Sequence, residues 1–200
     1  MKKLYQGKTK DVYELNDKEV LLKFKDDVTG KDGVFDPGQN HVGLTMEGAG
    51  HSACMLTKFF YEKLNAKGLN THFVSADTEK NEAVVKKAKV FGHGVEVIVR
   101  YRAVGSFIRR YGQYAESGMK LPSYVEITLK DDDRDDPLIT KDALEILGIM
   151  TGAEYEELVV LAKNIGEFVK EELGKKGLEL YDIKFEFGMI DGKVALIDEI

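Results

Sequence analysis

Alternation of polar and apolar side chains constrains the C-terminal segment, residues 180–200, to extended structure. Asp182, Lys184 and Glu186 fall on one face of a strand, because successive strand side chains point to opposite faces. The opposite face is apolar and carries Tyr181, Ile183, Phe185 and Phe187. The segment therefore predicts a half-buried strand with a lysine between two carboxylates on its polar face.

The length of the turn after this strand decides which carboxylates face each other. The Asp-Gly pair at 191–192 is a hairpin signal, and an apolar strand follows at 194–197. A three-residue loop that includes Lys193 places Glu186 directly opposite Asp198, whereas a two-residue loop moves Asp198 to the other face. Mg²⁺ prefers one or two carboxylates together with phosphate oxygens. The three-residue loop thus predicts a seat for Mg²⁺ and a nucleotide phosphate, and a solvated, salt-bridged hairpin is the alternative.

Composition narrows the class of protein. The chain has 200 residues, of which 43% are hydrophobic and 32% charged, the balance of a globular protein able to bury a core. No apolar run approaches the roughly 20 residues that cross a bilayer, and the N-terminus lacks an apolar signal segment. The single Cys54 favours a reducing compartment, and a net charge of −6 disfavours nucleic acid. We expect a cytoplasmic protein with no membrane or nucleic-acid partner, and leave open whether it is a homo-oligomer.

Strand patterns come first, helices cluster in the middle and a hairpin closes the chain. This order favours an α+β fold over a parallel βαβ sheet. Glycines between residues 29 and 50 predict a long irregular connection. Strands are predicted at 12–15, 20–24, 71–75, 83–85, 95–101 and 125–129. Helices are predicted at 53–64, at 106–111 with Ser106 as its cap, after Thr140, and after a capping box at Thr151 and Glu154.

The residues after Gly7 combine a glycine with two lysines, Gly7-Lys8-Thr9-Lys10. A P-loop needs another glycine five residues earlier and a following helix. Position 2 is a lysine and a strand pattern follows, so the P-loop is excluded. A glycine turn folded over phosphates, as in protein kinases, is the functional interpretation, and a solvated hairpin is the structural alternative.

Arg100 and Arg102 end a predicted buried strand, and Ser106 then begins a short helix. Arginine binds phosphate or carboxylate as a fork, and a helix N-terminus with a hydroxyl favours anions. A strand-end salt bridge with an ordinary helix cap is the alternative. The acidic run at 131–136 is typical of a solvated turn, with Lys130 at its edge.

Taken together, five segments resemble the SAICAR synthetase (phosphoribosylaminoimidazole-succinocarboxamide synthase) family. They follow the family's order, at 5–13, 25–33, 96–106, 130–137 and 180–199. The resemblance implies a two-lobed fold with a kinase-like or ATP-grasp-like nucleotide cleft. Its N-terminal antiparallel-sheet lobe would span 1–90 and its C-terminal α+β lobe 91–200. The implied activity is an ATP-dependent carboxylate–amine ligation that joins L-aspartate to carboxyaminoimidazole ribonucleotide in purine synthesis.

The same resemblance implies roles for individual residues. Those that would bind ATP are Lys8, Thr9, Lys10 and Lys130. Glu186 and Asp198 would hold Mg²⁺ with the nucleotide, and Lys184 would contact the reacting groups. Those that would bind the ribonucleotide and aspartate are Thr29, Asp32, Arg100 and Ser106, with Asp32 and Arg100 catalytic alongside Lys184.

Family members are expected to continue beyond the pair Asp198-Glu199, whereas this chain ends at Ile200. Two other functions therefore stay open. One is a nucleotide-binding protein that lacks ligase activity because the C-terminal segment is missing. The other is a kinase-like phosphotransferase that uses a different acceptor.

Overall fold

The computed structural model describes residues 1–36 and 41–200, apart from the side chain of Asp132. Gly38 of the predicted connection lies outside the described residues. The chain forms two compact units, Met1–Lys89 with Glu199–Ile200, and Val90–Asp198. Both combine antiparallel sheets with helices, which confirms the α+β class. Within the described ranges, no helix has the length and apolar character needed to cross a membrane.

The first unit is a five-stranded antiparallel sheet covered by one long helix. Up to residue 90 the elements are β1 (Lys3–Gln6), β2 (Lys10–Glu14), β3 (Glu19–Phe24), β4 (Asp27–Lys31), β5 (Val34–Phe35), β6 (Val42–Thr45), α1 (Ala49–Ala66), β7 (Phe73–Asp77), β8 (Glu82–Lys86) and β9 (Lys89–Val90). The large sheet has the order β1-β2-β3-β8-β7. Helix α1 buries Cys54, Phe60 and Leu64, so the predicted helix is confirmed.

The glycine-rich segment after residue 29 was predicted as an irregular connection, and that prediction is wrong. It contains a small sheet of order β5-β4-β6. A Cβ on Gly30 would lie 2.1 Å from the carbonyl oxygen of Val34, and one on Gly43 would lie 2.4 Å from the Cα of Gly30. Glycine here permits close approach of strands, a role that a sequence pattern does not distinguish from a loop.

The second unit is an antiparallel sheet with a long helix on one face. Its elements are β10 (Val95–Arg102), α2 (Ser106–Tyr111), β11 (Lys120–Leu129), α3 (Lys141–Ile146), α4 (Gly152–Gly174), β12 (Asp182–Ile190) and β13 (Lys193–Ile197). The sheet order is β11-β10-β12-β13, and β9 also pairs with β12. Thr140 caps α3, and Thr151 with Glu154 forms the predicted capping box of α4.

Helix α4 packs on the apolar face of this sheet. A Cβ on Gly166 of α4 would lie 2.7 Å from the Tyr101 hydroxyl and 3.2 Å from Cγ1 of Val99. Odd-numbered residues of β10 therefore face α4, together with the buried Phe185 and Phe187 of β12. The even-numbered residues of both strands point away from the helix.

Candidate functional site

Charged side chains occupy the face of the second unit's sheet that points away from α4. Glu96 pairs with Glu186 across β10 and β12, and Arg100 pairs with Asp182. Directly paired residues of antiparallel strands share a face. Lys184, which pairs with Ile98, therefore lies between these two carboxylate-bearing positions. The polar alternation read from the sequence is thus a polar surface on three neighbouring strands, since β11 adds Glu126 opposite Ile98.

At one end of this face, two lysines are paired with carboxylates. Lys184 Nζ donates to Glu96 Oε1 at 2.6 Å, and Lys130 Nζ donates to Glu186 Oε1 at 2.5 Å. The lysine side chains are 53% and 44% exposed, whereas those of Glu96 and Glu186 are 8% and 19% exposed. We call these four residues and Asp198 the lysine cluster. Its cationic heads reach solvent, while the carboxylates beneath them are sheltered.

The electrostatics of Lys130 tie the cluster together. Burial lowers the pKa of Lys130, but Glu186, Asp198 and Glu96 outweigh this effect and raise the pKa above its ordinary value. Lys130 is therefore a cation at neutral pH. The charge of Asp198 contributes to this rise after that of Glu186.

Of the two loop lengths considered for the hairpin after β12, the structure has the two-residue loop, so the three-residue alternative that places Glu186 opposite Asp198 is wrong. Ile190 pairs with Lys193, and Glu186 pairs with Ile197 rather than Asp198. Asp198 nevertheless belongs to the lysine cluster. It follows the last residue of β13 and has a φ of 69°, so the alternation of the strand no longer sets the direction of its side chain.

The donor set of this cluster fits a divalent cation that is shared with phosphate. Within residues 1–36 and 41–200, no group of three or more His, Cys, Asp or Glu side chains is arranged to hold a metal. The carboxylates of Glu186 and Asp198 would supply at most two ligands, and the remaining oxygens would have to come from phosphate and water. This is the typical arrangement of Mg²⁺ at nucleotide sites, where carboxylates, water and phosphate oxygens share the ion.

Arg100 is the centre of a second group of charges, further along the same face. Arg100 Nε and Nη2 donate to Glu126 Oε1 at 2.9 and 2.6 Å, and Nη1 donates to Asp182 Oδ2 at 2.6 Å. Nη2 also donates to Ser106 Oγ at 2.7 Å, and Arg110 Nη2 donates to Glu126 Oε1 at 2.6 Å. We call these five residues the arginine cluster.

Ser106 was predicted to cap α2, and that prediction is wrong. Gly105 is the N-cap residue, and no side chain caps the helix by a hydrogen bond. The Ser106 hydroxyl instead accepts a hydrogen bond from Arg100. The Gly105 backbone has a positive φ of 55°, a conformation that glycine adopts readily.

Asp182 is the more exposed carboxylate of the arginine cluster, with 37% of its side chain accessible. Burial raises the pKa of Asp182, Glu126 adds to the rise, and Arg100 opposes it. Asp182 is therefore the solvent-exposed partner of Arg100, whose own side chain is only 4% exposed.

In the first unit, Lys8 and Thr9 lie in the loop of the β1–β2 hairpin. The Gly7 N–H donates to the carbonyl oxygen of Lys10 at 2.8 Å, and a strand follows, which confirms that this is not a P-loop. Lys10 Nζ lies 2.8 Å from Glu199 Oε2, and Thr9 Oγ1 donates to Glu199 Oε1 at 3.3 Å. The Lys10 side chain is only 11% exposed.

Thr29 and Asp32 lie on the small sheet of the first unit. Thr29 is in β4, and Asp32 occupies the turn that joins β4 to β5. Asp32 and Gly33 both have positive φ, 52° and 76°, as a two-residue type I′ turn requires. Aspartate and glycine are both favoured in such a turn. The pair Asp32-Gly33 therefore has a structural role that is independent of any contact with substrate.

Three charged residues of these clusters were missed by sequence reasoning. Glu96 is a polar residue in a largely apolar strand, and it is four residues from Arg100. Strand alternation could therefore have placed both side chains on the same face. Glu126 has the same kind of signal in β11. Arg110 lies in a short helix of six residues, where no pattern distinguishes it from a solvated arginine.

Comparison with known proteins gives a consistent result. A family model described as SAICAR synthetase matches residues 3–200. The phosphoribosylaminoimidazole-succinocarboxamide synthase of Clostridium tetani is 60% identical, across 100% of this chain and 89% of its own length. The enzyme of the same name from Thermotoga maritima is 40% identical, across 98% of this chain and 80% of its own length.

Solved structures agree with the sequence relatives. A type-2 SAICAR synthetase in complex with ADP superposes with a TM-score of 0.86 at 31% identity, covering 98% of this chain and 79% of that one. SAICAR synthetase from Pyrococcus horikoshii gives a TM-score of 0.83 at 30% identity, covering 96% and 79%. The Saccharomyces cerevisiae protein complexed with SAICAR, at 19% identity and a TM-score of 0.75 over 99% of this chain and 72% of that one, supports the fold alone.

Proposed function

The chain belongs to the SAICAR synthetase family, and we propose that its lysine and arginine clusters serve the two substrate sides of the family's reaction. The protein is an ATP-dependent ligase of purine biosynthesis. It joins L-aspartate to the carboxylate of carboxyaminoimidazole ribonucleotide, with release of ADP and phosphate. The observation that carries the assignment of roles is the single polar face of β10 and β12, which holds Glu96, Lys184 and Glu186 of one cluster and Arg100 and Asp182 of the other.

The lysine cluster suits the activation step. A carboxylate resists attack by an amine, so phosphoryl transfer from ATP first converts it to an acyl phosphate, and cations must neutralise the phosphoryl oxygens. Lys184 has a half-exposed ammonium group with Glu96 behind it. We assign Lys184 to the reacting groups, where it stabilises the charge that develops during transfer.

We assign the nucleotide to the β1–β2 hairpin and to Lys130. A glycine turn with Lys8, Thr9 and Lys10 resembles the phosphate-covering hairpin of kinases. We further propose a two-lobed fold of the kinase-like or ATP-grasp-like type. Residues 1–90 would form the lobe that covers the nucleotide, and residues 91–200 would form the catalytic lobe. The relative solved in complex with ADP supports nucleotide binding.

Glu186 and Asp198 would hold Mg²⁺ together with ATP. When bound, this ion supplies positive charge beside the phosphoryl oxygens. The two carboxylates would bind the ion and orient the phosphates beside it. Lys130, which is paired with Glu186, balances part of their negative charge.

The arginine cluster suits the anionic acceptor side. An anionic group of the ribonucleotide or of aspartate would replace Asp182 as the acceptor of the Arg100 Nη1 hydrogen bond. Ser106 would be a neighbouring hydrogen-bond partner. We assign Thr29 and Asp32 to the same substrates. The amine of aspartate then attacks the activated carbonyl carbon and phosphate leaves. We also propose a cytoplasmic location, since Cys54 is buried and not in a disulfide.

The decisive experiment measures ADP release with Mg²⁺-ATP, carboxyaminoimidazole ribonucleotide and L-aspartate together, and then with each omitted in turn. We expect release only when all three are present. Repeated turnover without aspartate that accumulates a stable phosphorylated acceptor would identify a phosphotransferase. Tight ATP binding without turnover would identify a nucleotide-binding protein without ligase activity.

A further inference from the structure

The short helix α2 is fastened to the sheet at both ends by one buried ion pair. Ser106 at its start accepts a hydrogen bond from Arg100, and Arg110 in its last turn donates to Glu126. Between these points, the Phe107 ring contacts the rings of Tyr111 and Tyr124, with centroids 4.9 and 5.7 Å apart. No side chain caps the helix at its start, so Arg100, Glu126 and the ring contacts are the side-chain attachments that hold it to the sheet.

Glu126 is an unusual residue to keep for stability alone. Its side chain is 2% exposed, and one oxygen, Oε1, accepts all three hydrogen bonds from Arg100 and Arg110. The other oxygen, Oε2, is buried and has no hydrogen-bond partner among the described residues. A buried charge with one oxygen unsatisfied costs free energy, and a buried ion pair often contributes less stability than apolar residues of similar size. The arrangement therefore indicates that Glu126 serves to orient the side chains bonded to it.

That geometry fixes the plane of the Arg100 guanidinium. With Nε and one Nη2 bond held by Glu126 and the other Nη2 bond directed to Ser106, the group presents its Nη1 side towards Asp182. A bidentate contact to a carboxylate or phosphate depends on the orientation of this plane. Arg110, with 30% of its side chain exposed, donates to the same Glu126 oxygen and so restrains it as well.

We propose that Glu126 and Arg110 are positioning residues that hold Arg100 and Ser106 in the orientation that binds the anionic acceptor substrates. The inference rests on the proposed function, because it takes Arg100 as the group that contacts those substrates. Glu126 and Arg110 act through Arg100 and do not touch substrate themselves. Loss of either residue lowers affinity for the acceptor side and leaves ATP binding unchanged.

The test compares Michaelis constants for each of the three substrates in Glu126→Gln and Arg110→Gln. For Glu126→Gln we expect KM for the ribonucleotide, for L-aspartate or for both to rise by about tenfold or more, because small misplacements of a binding group have effects of up to about a hundredfold. KM for ATP should stay within about twofold. Arg110→Gln should show the same pattern with a smaller rise, and unchanged acceptor KM values in a folded Glu126→Gln protein overturn the proposal.

A double variant separates positioning from direct contact. If Arg110 acts through Glu126, adding Arg110→Gln to Glu126→Gln produces no further rise in KM, since coupled residues are not additive. If the two effects multiply, Arg110 contacts substrate directly and its positioning role is wrong. Glu172→Gln is the matched control, because Glu172 is also a sheltered carboxylate, 8% exposed, paired with a lysine of the same unit; its KM values should be those of the parent.

Two further variants keep the test decisive. If circular dichroism shows that Glu126→Gln does not fold, Glu126→Asp, which keeps the charge, and Arg110→Gln give the KM comparison instead. Arg100→Lys tests the proposed function by itself. Unchanged acceptor KM values in Arg100→Lys would overturn the substrate role of Arg100, whereas raised values there with unchanged values in Glu126→Gln would overturn the positioning role alone.

Discussion

The lysine and arginine clusters lie on one face of one sheet, yet they are built differently. Lys184 and Lys130 are 53% and 44% exposed, and each is shown with one short ion pair. The Arg100 side chain is 4% exposed and donates four hydrogen bonds to three neighbours. Lysine carries a compact, mobile charge, whereas arginine carries a planar fork that is ordered before binding.

This difference indicates how each cluster meets a ligand. A half-exposed ammonium group can leave its carboxylate for a phosphoryl oxygen at a lower cost than a buried guanidinium, because water already solvates part of it. A buried guanidinium cannot move without breaking a network, so it binds as a fixed surface. The lysine cluster therefore suits groups whose charge changes during reaction, and the arginine cluster suits recognition.

The strongest contrast is expected in stability. Arg100→Met should lower the free energy of unfolding by about 3–5 kcal/mol, the usual cost of leaving a buried ion-pair partner unpaired. Lys184→Ala should lower it less, by about 1–3 kcal/mol, because the variant leaves the sheltered Glu96 carboxylate without its lysine but removes a half-exposed ammonium group that water can partly replace. Urea denaturation of both variants measures the difference. Equal losses would show that the two clusters do not differ in the way their burial indicates.

Turnover should show the effect of the lysine cluster more clearly than stability does, provided that the variant protein is folded. Lys184→Ala should lower kcat by about 10²–10³, the effect of removing one group that stabilises charge in the transition state. Lys193→Ala, an exposed lysine at the start of β13, is the control and should keep the parent rate. Near-normal turnover in Lys184→Ala would contradict the role given to this lysine.

Asp198 is expected to determine how strongly the enzyme's activity depends on the Mg²⁺ concentration. Asp198→Asn should raise the Mg²⁺ concentration needed for half-maximal activity by about tenfold or more, the scale seen when even an outer-shell partner is lost. The melting temperature should fall little, because the residue follows the last strand. A large fall in melting temperature with unchanged Mg²⁺ dependence would make Asp198 a structural residue.

The smallest effect concerns pH and the arginine cluster. The pKa of Asp182 is raised by burial, so the folded state holds this proton more tightly than the unfolded state. Stability from this group is present at acid pH and falls as pH rises from the ordinary aspartate range through the raised pKa. Asp182→Asn should remove this dependence. Carboxyl NMR titration checks it, and a pKa below the ordinary value would show that Arg100 outweighs burial.

Local patterns predicted much of the fold because they act over a few residues. The capping box at Thr151 and Glu154 and the cap at Thr140 are local hydrogen bonds, and both are confirmed. The glycines near Gly30 and Gly43 were misread, because their function is the close approach of strands that are distant in sequence. A glycine required by close strand packing and a glycine in a flexible loop look the same in the sequence, and this caused the wrong prediction.

The sequence by itself determined which residues of the closing strands face the core and which face the site, since alternation follows from strand geometry. It also carried the family resemblance that the comparisons confirm. Tertiary structure decided the partners. The two-residue hairpin loop pairs Glu186 with Ile197 rather than with Asp198, and the positive φ of Asp198 ends the alternation of the strand at that residue. Register between strands and a single backbone angle are set by packing across the whole sheet, which no local pattern encodes.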